Sequence, residues 1–95
     1  MTKDLIKLRP MKKKGFMMIS EKASLGERVE MGENSIIRNN VIMGDDVIIF
    51  PNVYIGENTR IGEGSIIQYG AFIEHDCNIG KRCRIGAMRV RNLVS

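Results

Sequence analysis

The sequence predicts an all-β fold that turns a corner every six residues. Three observations carry the prediction. Counting in sixes from Ile19 meets Leu25, Met31, Ile37, Met43, Ile49, Ile55, Ile61, Ile67, Ile73, Ile79 and Ile85, an aliphatic side chain at every step. Four residues after each stands a small or β-branched residue, as in Ala23, Val29, Ser35, Val41, Val47, Val53, Thr59, Ser65, Ala71, Cys77 and Cys83. Between them recur residues that tolerate a left-handed backbone: Asn34, Asn40, Asp46, Asn52, Asn58, Gly64, Gly70 and Asp76. A fixed short period is the mark of a repeat architecture. Six is not a helical period, and β-branched residues disfavour a helix further.

Taken in order, the chain divides into a basic leader at 1–17, a repeat at 18–87 and a tail at 88–95. Residues 1–15 hold Lys3, Lys7, Arg9, Lys12, Lys13 and Lys14 against the single acid Asp4. That composition predicts a solvated leader without fixed structure. Phe16, Met17, Met18 and Ile19 are too few for the apolar core of a signal peptide. Met17 and Met18 stand directly before the repeat, where a shorter chain would start. The repeat itself carries seven basic and ten acidic residues between 19 and 86, so the basic pI belongs to the tails. This argues against nucleic acid as a partner. No stretch approaches the roughly 20 apolar residues of a membrane span.

Within the repeat, each triplet such as Val53-Tyr54-Ile55 reads as a short strand. Alternation sends Val53 and Ile55 inward and Tyr54 outward. Past Gly86 the period fails: Arg89 falls in a small inward slot and Arg91 where an aliphatic residue belongs. The coil is therefore expected to stop near residue 86. Val90, Leu93 and Val94 are then expected to fold beneath it as an imperfect cap.

Leu25-Gly26, Ile55-Gly56-Glu57-Asn58-Thr59-Arg60 and Ile61-Gly62-Glu63-Gly64-Ser65-Ile66 resemble the hexapeptide repeat of the left-handed parallel β-helix. The resemblance covers residues 19–86. It implies about four triangular coils, each of three hexapeptides and 18 residues. On that spacing Met18, Ile36, Tyr54 and Phe72 form one outward ladder. Ile48 and Ile66 form the apolar middle of a second, between Glu30 and Arg84. Ser24, Ile42, Arg60 and Asn78 form a third, mostly polar ladder. Exposed apolar ladders mark interfaces. Two apolar faces and one wet face fit a three-fold assembly, and members of the family are typically homotrimers.

The one histidine, His75, lies in Ala71-Phe72-Ile73-Glu74-His75-Asp76-Cys77-Asn78-Ile79-Gly80. This stretch is similar to the His-Asp-Cys segment of sugar O- and N-acyltransferases with hexapeptide repeats. The resemblance implies that His75 is the general base for transfer of an acetyl group. The donor is acetyl-coenzyme A or another acyl thioester, with no tightly bound cofactor. The acceptor is a hydroxyl or amine of a sugar or nucleotide sugar. An imidazole suits the task because its pKa lies near neutrality. Glu74 and Asp76 are the candidate orienters of the ring. The alternative reading is a non-catalytic trimerisation module, or a remnant of such an enzyme, because the family's further coils are missing after His75.

Other chemistries find no support. The carbonic anhydrases that share the hexapeptide fold need three histidines. Cys77 and Cys83 fall in inward slots on different faces, so they read as core filler without a disulfide or zinc site. Unpaired buried thiols suit a reducing, cytoplasmic setting. No phosphate-binding glycine loop opens a helix.

Overall fold

The computed structural model describes residues 7–10 and 16–91. Short strands stack into three parallel sheets, the faces of a left-handed β-helix of about four coils. One face is β2 (Phe16–Ile19), β5 (Ile36–Ile37), β8 (Tyr54–Ile55) and β11 (Phe72–Ile73). The second is β3 (Ser24–Leu25), β6 (Ile42–Met43), β9 (Arg60–Ile61) and β12 (Asn78–Ile79). The third is β4 (Glu30–Met31), β7 (Ile48–Ile49), β10 (Ile66–Ile67) and β13 (Arg84–Ile85). Residues 18 apart are hydrogen-bonded neighbours, as Ile36 is to Tyr54 and Tyr54 to Phe72. Among the described residues no helix is long and apolar enough to cross a membrane.

The corners follow from the backbone. Asn34, Asn40, Asp46, Asn52, Asn58 and Asp76 all hold φ between 59° and 63°, and Gly64 and Gly70 are also left-handed. Arg28 and Arg82 occupy the same corner position with φ of 59° and 52°. There an ordinary side chain pays roughly 1–2 kcal/mol that glycine would not.

The interior is the column of aliphatics that the period marks. Ile37, Ile49, Ile55, Ile61, Ile67 and Ile73 are essentially inaccessible, while Leu25, Met31 and Ile85 are half-buried at the ends of the stack. The small slots fill the space between them, and three carry hydroxyls that do more than fill. Ser35 Oγ donates to the Phe50 carbonyl and accepts from the Val53 amide. Ser65 bridges Gly80 and Cys83 in the same way. Thr59 bridges Glu74 and Cys77. Each hydroxyl clasps a turn of the next coil.

Two findings depart from the pattern read in the sequence. The leader, expected to lack structure, contributes β1 (Lys7–Pro10), which pairs antiparallel with β2 and occupies its otherwise open edge. Residues 1–6 and 11–15 of the leader lie outside the described residues. At the other end β14 (Arg89–Val90) pairs with β11, setting Arg89 beside Phe72 and Val90 beside Ile73. The spacing here is 17 rather than 18, because the corner after Ile85 is one residue shorter. Val90 thereby takes the inward place that a strict count assigns to Arg91, and Arg89 turns outward. This spares the core a buried guanidinium. Leu93 and Val94, expected to help close the end, lie outside the described residues.

Candidate functional site

The corner after β11 carries His75, and three columns of residues from successive coils build its surroundings. Arg38, Gly56 and Glu74 form one column, Asn39, Glu57 and His75 the next, and Asn40, Asn58 and Asp76 the third. They open onto a groove of about 450 Å³ lined by Arg38, Tyr54, Gly56, Glu57, Phe72, Glu74, His75 and Arg89. Its wall is the stacked pair Tyr54 and Phe72, with ring centroids 4.7 Å apart and planes 12° from parallel. The Arg89 guanidinium sits 5.3 Å above the Phe72 ring.

His75 Nδ1 lies 2.7 Å from Asp76 Oδ2. An ionised carboxylate only accepts hydrogen bonds, so Nδ1 carries the proton, and in the neutral ring Nε2 keeps its lone pair. The hydrogen bond that Nδ1–H donates to Asp76, and the charge of that carboxylate, raise the His75 pKa above the ordinary 6.5, with Glu74 and Glu57 adding at longer range and slight burial opposing. Asp76 is held below the usual carboxylate range, chiefly by its hydrogen bond to His75 and then by one from Asn58. Both side chains are well exposed, at 69% and 46%. Salt therefore weakens the pair.

Of the two candidate orienters, Asp76 makes the contact with the ring. Glu74 turns away: its Oε2 accepts from Arg89 Nε at 2.6 Å, and its Oε1 lies 3.8 Å from Arg91 Nε. Arg38 Nη2 reaches Glu57 at 3.5 Å. Arg38, Glu57 and Arg89 are residues of the groove that the sequence reading did not single out. Only the 18-residue spacing to His75 and Glu74 could have found the first two. The one-residue slip hid Arg89.

Gly56 has a structural reason for lacking a side chain. A Cβ there would meet Glu74 C and His75 N at 2.8 Å and Ile73 O at 3.0 Å. The next coil, at the turn that bears His75, occupies that space.

The proposed interface residues fall where the register puts them. Met18, Ile36 and Tyr54 are half-buried and Phe72 is 41% exposed on one face. Ile48 and Ile66 are half-buried on another. Ile42, at 42%, is as exposed as Phe72 on the face expected to be polar. Cys77 and Cys83 are free thiols in their small slots, and burial raises the pKa of Cys77 above its ordinary value.

The coil and corner define a hexapeptide-repeat β-helix, and the comparisons agree. Residues 40–75 match the family described as bacterial transferase hexapeptide (six repeats), a stretch that ends on His75. Over those residues the chain is similar to this family of bacterial transferases, and the match does not extend to the rest of the repeat. A truncated serine acetyltransferase apoenzyme shares the fold with a TM-score of 0.71 at 23% identity, over 75% of this chain and 34% of that one. Serine acetyltransferase isoform 3 from Entamoeba histolytica, in complex with cysteine, aligns at 18% identity over 81% of this chain and 35% of its own, with a TM-score of 0.45. The acetyltransferase domain of PglB from Neisseria gonorrhoeae FA1090, in complex with acetyl coenzyme A, aligns at 18% identity over 80% and 54%, with a TM-score of 0.34. The chain spans about a third of the length of the serine acetyltransferases. Among curated proteins no sequence matches it.

Proposed function

We propose that the protein is an acyltransferase that moves an acetyl group from acetyl-coenzyme A, or another acyl thioester, to a hydroxyl or amine of a sugar or nucleotide sugar. One observation carries the reading: the His75–Asp76 pair at the mouth of a groove with a flat aromatic wall. With Nδ1–H given to Asp76, Nε2 is free to take the proton of the acceptor O–H or N–H as that atom attacks the thioester carbonyl. The carbon–sulfur bond then breaks, and the thiolate leaves with the proton that the imidazolium returns. The Tyr54–Phe72 wall offers an apolar surface on which a sugar ring or an acyl arm packs.

The reading takes the active form as a homotrimer in the cytoplasm. The Met18, Ile36, Tyr54 and Phe72 ladder supports self-association, since it runs beside the groove and leaves Phe72 in water. The free thiols Cys77 and Cys83 suit a reducing compartment.

The test is thiol release from acetyl-coenzyme A with a panel of amino and hydroxy sugars. Loss of a general base costs typically ~10²–10⁴-fold, and His75→Ala is expected to lose about that much with its assembly intact. Equal turnover by wild type and His75→Ala overturns the assignment. Absence of both turnover and coenzyme A binding puts the non-catalytic scaffold reading in its place.

A further inference from the structure

We propose that Thr59, a core residue that does not line the groove, is the positioning residue of the His75 turn. The proposal rests on the acyl-transfer reading of His75, but the geometry behind it is independent of any substrate. Thr59 is completely buried. Its Oγ1 donates to the Glu74 carbonyl at 3.1 Å and accepts from the Cys77 amide at 3.3 Å. Those two residues flank His75 and Asp76. One hydroxyl therefore ties both ends of the turn to the coil above it.

Packing alone does not call for a hydroxyl at this place. The same slot of the repeat holds Val41, Val47 and Val53, all buried, and Ala71. Valine therefore fits the slot, and what threonine adds is the pair of hydrogen bonds. Ser35 and Ser65 make the same clasp on the turns at 50–53 and 80–83. Only the Thr59 clasp holds a side chain that titrates near neutrality. Two further contacts close on the turn from above. The Asp76 amide donates to the Glu57 carbonyl at 2.7 Å, and the backbone at Glu74 and His75 fits against Gly56 with no room for a Cβ. Asp76 itself sits at φ 59°, a conformation with few alternatives for a side-chain-bearing residue. The imidazole is highly exposed, so its orientation depends on the turn and on Asp76 rather than on surrounding walls.

The chain has a single histidine, so its imidazole signals are assigned without ambiguity. The experiment follows the His75 ring by NMR across pH in the full chain, comparing wild type, Thr59→Val, Thr59→Ser and Ser35→Val. The charged groups that act on the ring, Asp76, Glu74 and Glu57, are the same in all four. Wild type is expected to titrate above the ordinary histidine value and to show a hydrogen-bonded Nδ1–H. Thr59→Val is expected to move the midpoint down toward the ordinary value and to lose the Nδ1–H signal. Thr59→Ser, which keeps the hydroxyl, restores both. Ser35→Val removes an equivalent clasp at a corner one coil and one face earlier in the chain, and is expected to lower thermal stability without moving the His75 titration. An unchanged titration in folded Thr59→Val overturns the proposal, as does an equal shift in Ser35→Val. Should Thr59→Val fail to fold, Thr59→Ala, which places the side chain of Ala71 in the equivalent slot, makes the same comparison. The titration stands whether or not the protein turns over acetyl-coenzyme A, so failure of the acyl-transfer reading and failure of the positioning role give different results.

Discussion

Gly56→Ala tests whether the coil above fixes the candidate site. The new Cβ would stand 2.8 Å from Glu74 C and from His75 N, and 3.0 Å from Ile73 O. All three are backbone atoms, so no side chain can swing aside. Reaching an ordinary contact of about 3.4 Å needs a separation of roughly 0.5 Å between coils. The same two coils are joined here by the Gly56 amide donating to the Ile73 carbonyl at 2.8 Å, and the shift stretches that bond. Overpacking of this kind costs typically 1–3 kcal/mol. In a domain of this size each kcal/mol moves Tm by roughly 4–8 °C, so a fall of about 5–20 °C is expected. Gly86→Ala is the matched control, since nothing lies within 4 Å of a Cβ there. Thermal unfolding by circular dichroism compares the two. NMR of His75 then shows whether the turn has moved. Equal Tm values for the two variants would refute the argument that the coil spacing at Gly56 is already filled.

Four further outcomes follow from the same structure. Tyr54→Glu/Phe72→Glu puts two like charges side by side on the apolar ladder, and in sedimentation the wild type is expected to run as a trimer and the variant as a monomer; a wild-type monomer, or a trimer in the variant, removes the interface. On the proposed acyl-transfer reading the neutral imidazole is the base, and Asp76 raises its pKa, so the acid limb of kcat/KM should lie above the ordinary histidine value and move to lower pH in Asp76→Asn. By the same sign, the pair stabilises the fold between the ordinary carboxylate and imidazole ranges, and loses that contribution as pH rises through the raised His75 value or falls through the lowered Asp76 value, which a pH series of Tm in both proteins checks. Arg82→Gly relieves a left-handed arginine at a net gain of about 0.5–1 kcal/mol, read as a Tm increase of roughly 2–8 °C, and a decrease would show that the 3.8 Å contact with Glu63 outweighs the strain.

Much of the fold was legible because the repeat writes its geometry into the sequence at two scales. An aliphatic residue every sixth position fixes the inward column. Asn, Asp or Gly at a constant offset fixes the corner, and each of those eight positions has φ above zero. Arg28 and Arg82 share that backbone without sharing its residue type: each corner is held against its one neighbouring coil, by the Asp46 amide on the Glu27 carbonyl and by the Arg82 amide on the Glu63 carbonyl, whatever side chain is present. The end of the stack was harder to read. A rigid count of six sends Arg89 and Arg91 inward, whereas the chain drops one residue at the last corner and keeps both guanidinium groups in water. A buried unpaired charge costs far more than an irregular turn, so the pattern yields there.

The candidate site was legible only along the chain, because its remaining members are joined across coils. His75 and Asp76 are neighbours in sequence, and the reading found them. Glu74, equally close in sequence, belongs to another partnership: its carboxylate is taken by Arg89, 15 residues away and displaced by the slip. Arg38 and Glu57 enter the groove only because 18 residues make one coil. Thr59 shows the same limit from inside. In the sequence it is one more small or β-branched residue among valines, and packing assigns it nothing further. The structure adds that its hydroxyl satisfies one carbonyl and one amide of the following coil. Leaving two such groups unpaired inside the protein costs about 1–3 kcal/mol each. In this fold a polar residue in the core therefore acts on the turn below it. Where that turn bears the one imidazole of the chain, a choice made in the interior sets the geometry of the chemistry at the surface.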